Sequence, residues 1–217
     1  MDVKEWFEMI YYISGIVLVI GVFIGIKQFK IAKDEIQLLK KDYETRNKRA
    51  SVEKSIEYLN LFATEFIPKA SEVQLNIKQN VTQIYKGPIN NDFRFDDNCN
   101  LKSKYIQDLL RKSIENDAVD VLNRFEYFSA AFVSGLADEE LAFTPLSRIY
   151  CEYIESMYVV LCYLRKDEDH SSFENTVKLY NSWKKRLEKS ALEKRRSKLD
   201  DEISQIQTER IKHIGHE

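Results

Sequence analysis

Glycine and proline are scarce, six and three in 217 residues, which argues against the turn-dense architectures of β-sandwiches, barrels and propellers. Cysteine is scarcer than a disulfide frame or a zinc site requires. Cys99, Cys151 and Cys162 form an odd set without metal-ligand spacing, so reduced thiols are expected, with Cys151 and Cys162 as small core residues rather than nucleophiles. His170, His213 and His216 are equally dispersed, and no metal is expected. The sequence holds no G-x-x-x-x-G-K-[ST], no G-x-G-x-x-G, no G-x-S-x-G and no H-E-x-x-H. It therefore reads as a non-enzyme with no cofactor.

What is present is long, weakly punctuated stretches of Leu, Ile, Lys and Glu, the composition of an all-α chain. One stretch stands apart. Residues 9–26, MIYYISGIVLVIGVFIGI, carry no charge. At about 1.5 Å per residue they reach roughly 27 Å, close to the hydrocarbon thickness of a bilayer, so a transmembrane helix is expected over 9–29. A secretory leader would need a basic start and a small-residue cleavage site; the flanks are instead MDVKEWFEM and KQFKIAK. A buried core helix would rarely lack a polar edge over eighteen positions.

Only Lys4 precedes the run, beside Asp2, Glu5 and Glu8, whereas Lys27, Lys30 and Lys33 follow it. The positive-inside rule then places residues 1–8 outside a bacterial inner membrane and the rest in the cytoplasm. Trp6, Phe7, Tyr11 and Tyr12 suit the outer interface. At 100° per residue, Ser14, Leu18, Gly21, Gly25, Gln28 and Ala32 share a narrow arc, and Gly21 and Gly25 form a G-x-x-x-G. Small residues allow helices to approach closely in lipid, so this arc is a candidate homo-oligomer face or pore lining. Glycine is also simply frequent in membrane helices.

Beyond the run, Phe29, Ile36, Tyr43 and Ala50 recur every seven residues, with Ala32 and Leu39 between them. A helical neck over 30–66 is expected, as a coiled coil or as one long amphipathic helix packed on its own domain. Arg46, Lys48 and Arg49 interrupt it as a solvated face or an anion contact. The periodicity of Val52, Ile56, Leu59, Ala63 and Phe66 runs to Pro68, and Ser71 is expected to cap the next helix, over 71–85. Residues 87–100 read as a loop pinned by Phe93 and Phe95, in which Asp96 and Asp97 form a turn rather than a cation site. Further helices are expected from Leu101 to Ile114, from Ala118 to Ser134 behind an Asn116 cap and closed by Gly135, and from Asp138 to Lys166 with a kink or restart near Thr144 and Pro145. A last helix follows a Ser171 or Ser172 cap and carries Val177, Leu179, Tyr180, Trp183 and Leu187. Residues 67–188 form the cytoplasmic helical domain, and 189–217 a charged helix or tail.

Residues 122–143, LNRFEYFSAAFVSGLADEELAF, resemble the central motif of a bacterial family of small, membrane-anchored, all-helical proteins classed as a domain of unknown function. Leu122, Asn123, Phe125, Glu126, Gly135, Asp138, Glu139, Glu140 and Leu141 match its L-N-x-F-E helix, glycine turn and D-E-E-[LI] helix. The resemblance brings no catalytic set, and Asn123 and Glu126 are expected to pack and cap helices. The layout is also similar to the membrane effectors of antiphage systems such as Hailong, which pair a nucleotidyltransferase with a small membrane protein. That resemblance implies a channel controlled by an oligonucleotide, with a nucleotidyltransferase as partner.

Residues 184–198, KKRLEKSALEKRRSK, hold eight Lys or Arg against two Glu, net +6, in a chain of net −2. Lys184, Lys185, Arg186, Lys189, Lys194, Arg195, Arg196 and Lys198 are candidate phosphate ligands, joined by Arg46, Lys48 and Arg49, with Tyr180 and Trp183 as stacking platforms for single-stranded bases. Anionic lipid or plain solvation would account for the same charge. Leu199, Ile203, Ile206 and Ile211 extend a sparse apolar stripe beyond it. The expectation is a single-span oligomeric channel effector of antiphage defence, controlled by a nucleotide or short single-stranded DNA. The alternative is a tethered adaptor for a protein partner.

Overall fold

A computed structural model describes residues 2–81, 83–95, 103–166 and 172–208. All of its regular elements are helical: α1 (Val3–Leu61), a π-helical turn (Phe62–Phe66), α2 (Ile67–Asn80), α3 (Lys104–Glu115), α4 (Ala118–Val133), α5 (Glu139–Ser156), α6 (Tyr158–Leu164) and α7 (Glu174–Thr208). Leu101, Asp96, Asp97, Cys99, His170, Ser171, Ile211, His213 and His216 lie outside the described residues. The chain divides into two units, one ending at Ala50 and one beginning at Ser51.

The first unit is helical from Val3 onward, with no proline and no break between the apolar segment and Ala50. Its apolar side chains are exposed throughout, from Trp6 and Phe7 to Ile26, and so are Phe29, Ile36, Leu39 and Tyr43 of the heptad series. This one helix is long and apolar enough to cross a membrane, and none of its apolar window is buried.

The second unit is a bundle around an aromatic core. Phe62, Phe66, Phe125, Phe128, Phe132, Tyr150 and Trp183 meet at centroid separations of 4.8 to 6.3 Å. Each such ring removed from water contributes on the order of 2 kcal/mol, so this cluster is what holds α4 against α7. Cys151 and Cys162 are buried within the same core, as their spacing suggested. Burial, and then the Glu155 carboxylate, push the Cys151 thiol up to about 12.

Several expected boundaries move. Pro68 does not end its helix, because the turn before it is π-helical: Ile67 N–H bonds Phe62 C=O, and the widened turn accommodates a ring that brings no donor. Ser71 consequently lies inside α2 and caps nothing; its hydroxyl meets Tyr153 Oη at 2.6 Å. Asn116 closes α3, its Nδ2 donating to Lys112 C=O, and Asp117 at φ 61° precedes α4. Pro145 is carried inside α5, and the restart comes at Met157, φ −95° and ψ 9°. Gly135 closes α4 at φ 76°, a conformation that costs an L side chain about 1 kcal/mol. Phe93 is fully buried against Tyr158 and Tyr180, while Tyr158 Oη accepts from Asn90 N–H and donates to Arg94 C=O. That pins the segment, as its alternating phenylalanines suggested.

Candidate functional site

Within α1, the face bearing Ser14, Leu18, Gly21, Gly25 and Gln28 is exposed. The Ser14 hydroxyl donates to Tyr11 C=O at 2.8 Å, so this polar group is satisfied by its own helix. A Cβ placed on Gly15, Gly21 or Gly25 meets nothing within 4 Å. These glycines leave room at a surface rather than relieving a contact inside the chain. On the same helix Arg46 pairs with Asp42 at 2.9 Å, and Lys48 and Arg49 are exposed.

The helix α7 divides into a held half and a free half. Its N-terminus is held by Glu126 of α4. One carboxylate oxygen accepts from Asn175 N–H and Nδ2, at 3.1 and 2.8 Å, and the other from Thr176 N–H and Oγ1, at 2.9 and 2.7 Å. Glu126 thus caps a helix, the role expected of it, and supplies the acceptor that Ser171 or Ser172 was expected to provide.

One turn further on, Tyr180 Oη donates to Glu155 at 2.9 Å and Lys184 Nζ reaches the same oxygen at 2.6 Å. That bond holds the Lys184 ammonium above the ordinary lysine range. Burial and the Glu155 contact raise the Tyr180 hydroxyl as well. Trp183 Nε1 donates to Glu139 at 2.7 Å, and Arg186 pairs with Glu139 at 2.9 Å and Glu140 at 2.8 Å while its guanidinium lies 3.7 Å over the Phe143 ring. Asp138 caps α5 by accepting from the Glu140 and Leu141 N–H groups. The matched acidic residues of the 122–143 motif therefore start one helix and fasten another.

This corrects the expected stacking platform. Trp183 is 0% and Tyr180 2% exposed, so neither presents a ring face to a base, and Lys184 and Arg186, both half-buried, are paired with carboxylates of α5. The spacing 180, 183, 187 is the core-facing side of α7, which adjacency to the basic run concealed. Lys185, Lys189, Lys194, Arg195, Arg196 and Lys198 are exposed; Lys189 approaches Glu193 at 3.9 Å and Arg196 approaches Asp200 at 3.8 Å, and such exposed pairs contribute little. A cavity among α2, α3 and α6, lined by Ile77, Tyr85, Leu109 and Tyr158, holds about 60 Å³. Small-molecule sites need roughly 300 to 1,000 Å³, so this cavity admits no nucleotide. Among the described residues no three His, Cys, Asp or Glu are grouped to hold a metal.

A family model described as a domain of unknown function, DUF4760, matches residues 16–183. Neither a curated protein nor a solved structure matches the chain. The match ends before the basic run begins.

Proposed function

The chain belongs to the DUF4760 family, and from that premise we propose that it is a membrane-anchored, homo-oligomeric ion-channel effector of bacterial antiphage defence, controlled by a nucleotide or short single-stranded DNA. The observation that carries this reading is the apolar part of α1: it is unburied, long enough to span a bilayer, and bears Ser14, Gly21 and Gly25 on one exposed face. Copies meeting along that face would enclose a narrow conduit with Gln28 at its inner mouth, and apolar side chains at the same radius would gate it by dewetting. The excess of lysine after the apolar run supports an N-outside, C-inside orientation in the inner membrane.

With Tyr180 and Trp183 buried and Lys184 and Arg186 paired to α5, the ligand contact on α7 falls to Lys185, Lys189, Lys194, Arg195, Arg196 and Lys198, while Arg46, Lys48 and Arg49 of the first unit are a separate candidate contact. Such a contact is electrostatic, reading phosphates rather than bases. The resemblance of the sequence layout to Hailong-type effectors is what suggests a nucleotidyltransferase as the source of that ligand. Binding gates the channel only through a difference in affinity between its open and closed states.

The loss of the aromatic platform favours a second reading, a tethered adaptor whose helical domain binds a protein. The mass of the full-length protein in mild detergent separates the two. A channel forms a defined ring that Gly25→Leu disperses; an adaptor is indifferent to that substitution.

A further inference from the structure

Among the described residues, the distal half of α7 has no companion. Residues 191–204 are exposed on every side, yet Leu192, Leu199 and Ile203 are 67, 50 and 52% exposed and fall within about 40° of one another around the axis. Isolated helices of this length are marginal in water, so an exposed leucine seam on one calls for a partner. The charges beside the seam are sorted along its length. Residues 184–198 are net +6, whereas Asp200, Asp201 and Glu202 follow with no basic residue before Thr208.

We propose that the occupant of this seam is the same segment of a second copy, running antiparallel. In a parallel, in-register pair, Lys189 and Arg196 would each face their own counterpart in the seam, setting like charge on like charge twice. Reversing one helix removes both clashes. Leu192 then packs against Ile203 of the other copy, Leu199 covers the stem of Arg196, and Arg195 faces Glu202 on one flank, each contact occurring twice by symmetry. Glu193 and Asp200 approach on the other flank, where Lys189 and Arg196 already lie beside them at 3.9 and 3.8 Å. A seam of three apolar side chains is weak alone; tethering to one membrane raises the effective concentration of partners. The pairing uses a face distinct from the α1 stripe and does not depend on the channel reading.

The test is disulfide crosslinking of full-length protein in native membranes, in a Cys99→Ser background that leaves Cys151 and Cys162, both buried, as the remaining native cysteines. Copies carrying Leu192→Cys are co-expressed with copies carrying Ile203→Cys. The antiparallel pair predicts a mixed dimer and little crosslinking of either variant alone. Arg195→Glu reduces the mixed product roughly tenfold, since two symmetric pairs turn repulsive, and adding Glu202→Arg restores it. Leu192, Arg195, Glu202 and Ile203 are all exposed, so loss of folding at these positions does not explain a negative result. Self-crosslinking of each single variant would establish a parallel pair and overturn the proposal. An absence of crosslinks would overturn it too, and so would a mixed product lost on nuclease treatment, because a bound strand would then be holding the copies together.

Discussion

Glu126 of α4 and Thr176 of α7 are joined twice by one carboxylate oxygen, through the Thr176 backbone N–H at 2.9 Å and its hydroxyl at 2.7 Å. Thr176 is fully buried, and its C=O accepts from the Tyr150 hydroxyl at 3.2 Å. The first turn of α7 is therefore held from both ends of one residue, and both holds come from other helices.

Glu126→Ala would leave two backbone donors and the Asn175 and Thr176 side chains without their acceptor. The expected cost is about 3 kcal/mol, the scale of a lost charged cap, read as a lowered urea midpoint of the full-length protein in detergent. Glu126→Gln keeps one acceptor and should fall between the two. Unchanged midpoints would remove the cap from the stability of this fold.

Trp183→Phe tests which work the tryptophan does. Losing the Nε1–H bond to Glu139 should cost about 2 kcal/mol, while oligonucleotide affinity stays unchanged because the ring is buried. A fall in affinity at unchanged stability would return Trp183 to the binding surface.

Charge removal separates the two halves of the basic run. Changing Lys194, Arg195, Arg196 and Lys198 to Ala should weaken binding of a short single strand and flatten its salt dependence by up to about 3 in log–log slope. Lys184→Ala and Arg186→Ala should instead lower stability, since each leaves a partly buried carboxylate without its cation, with only the Tyr180 hydroxyl or the Trp183 Nε1–H still donating to it. Equal effects from both sets would contradict the division of α7.

Alkaline pH should destabilise the bundle. The Cys151 thiol is raised in the folded state from 9.0 to about 12, so its contribution is fully present below pH 9 and is lost as pH climbs toward 12. Burial raises the Tyr150, Tyr158 and Tyr180 hydroxyls in the same sense, and Lys184, raised by Glu155, loses its contribution over the same alkaline range. Thermal midpoints should hold from pH 8 to about 9 and then fall toward pH 11. A flat profile would mean that these groups ionise alike in folded and unfolded chains.

Much of the fold was legible in the sequence because its signals were local. The uncharged run of residues 9–26, the Gly135 turn and the Asp138 cap each state their structure within a few residues. Glu126 was readable as a capping residue, although its partners lie some fifty positions away. Pro68 misled, because whether a proline breaks a helix depends on the turn around it, and a π-helical turn removes the conflict there; at Pro145 the helix simply runs on to Ser156. The expected stacking platform failed at Tyr180 and Trp183 because both rings face the core, and the pairing of Lys184 and Arg186 was missed for a related reason. Net charge along a chain does not reveal which cations meet carboxylates on other helices, and Glu139, Glu140 and Glu155 are supplied by α5.

Current across a planar bilayer is the measurement to make first on the full-length protein, with Gly25→Leu as its counterpart and a short single-stranded DNA added on the side of the helical domain. Discrete conductance steps that vanish in Gly25→Leu and change with the oligonucleotide are expected from a gated pore lined by the Ser14, Gly21 and Gly25 face. Silent bilayers containing inserted wild-type protein, with and without the oligonucleotide, would contradict it.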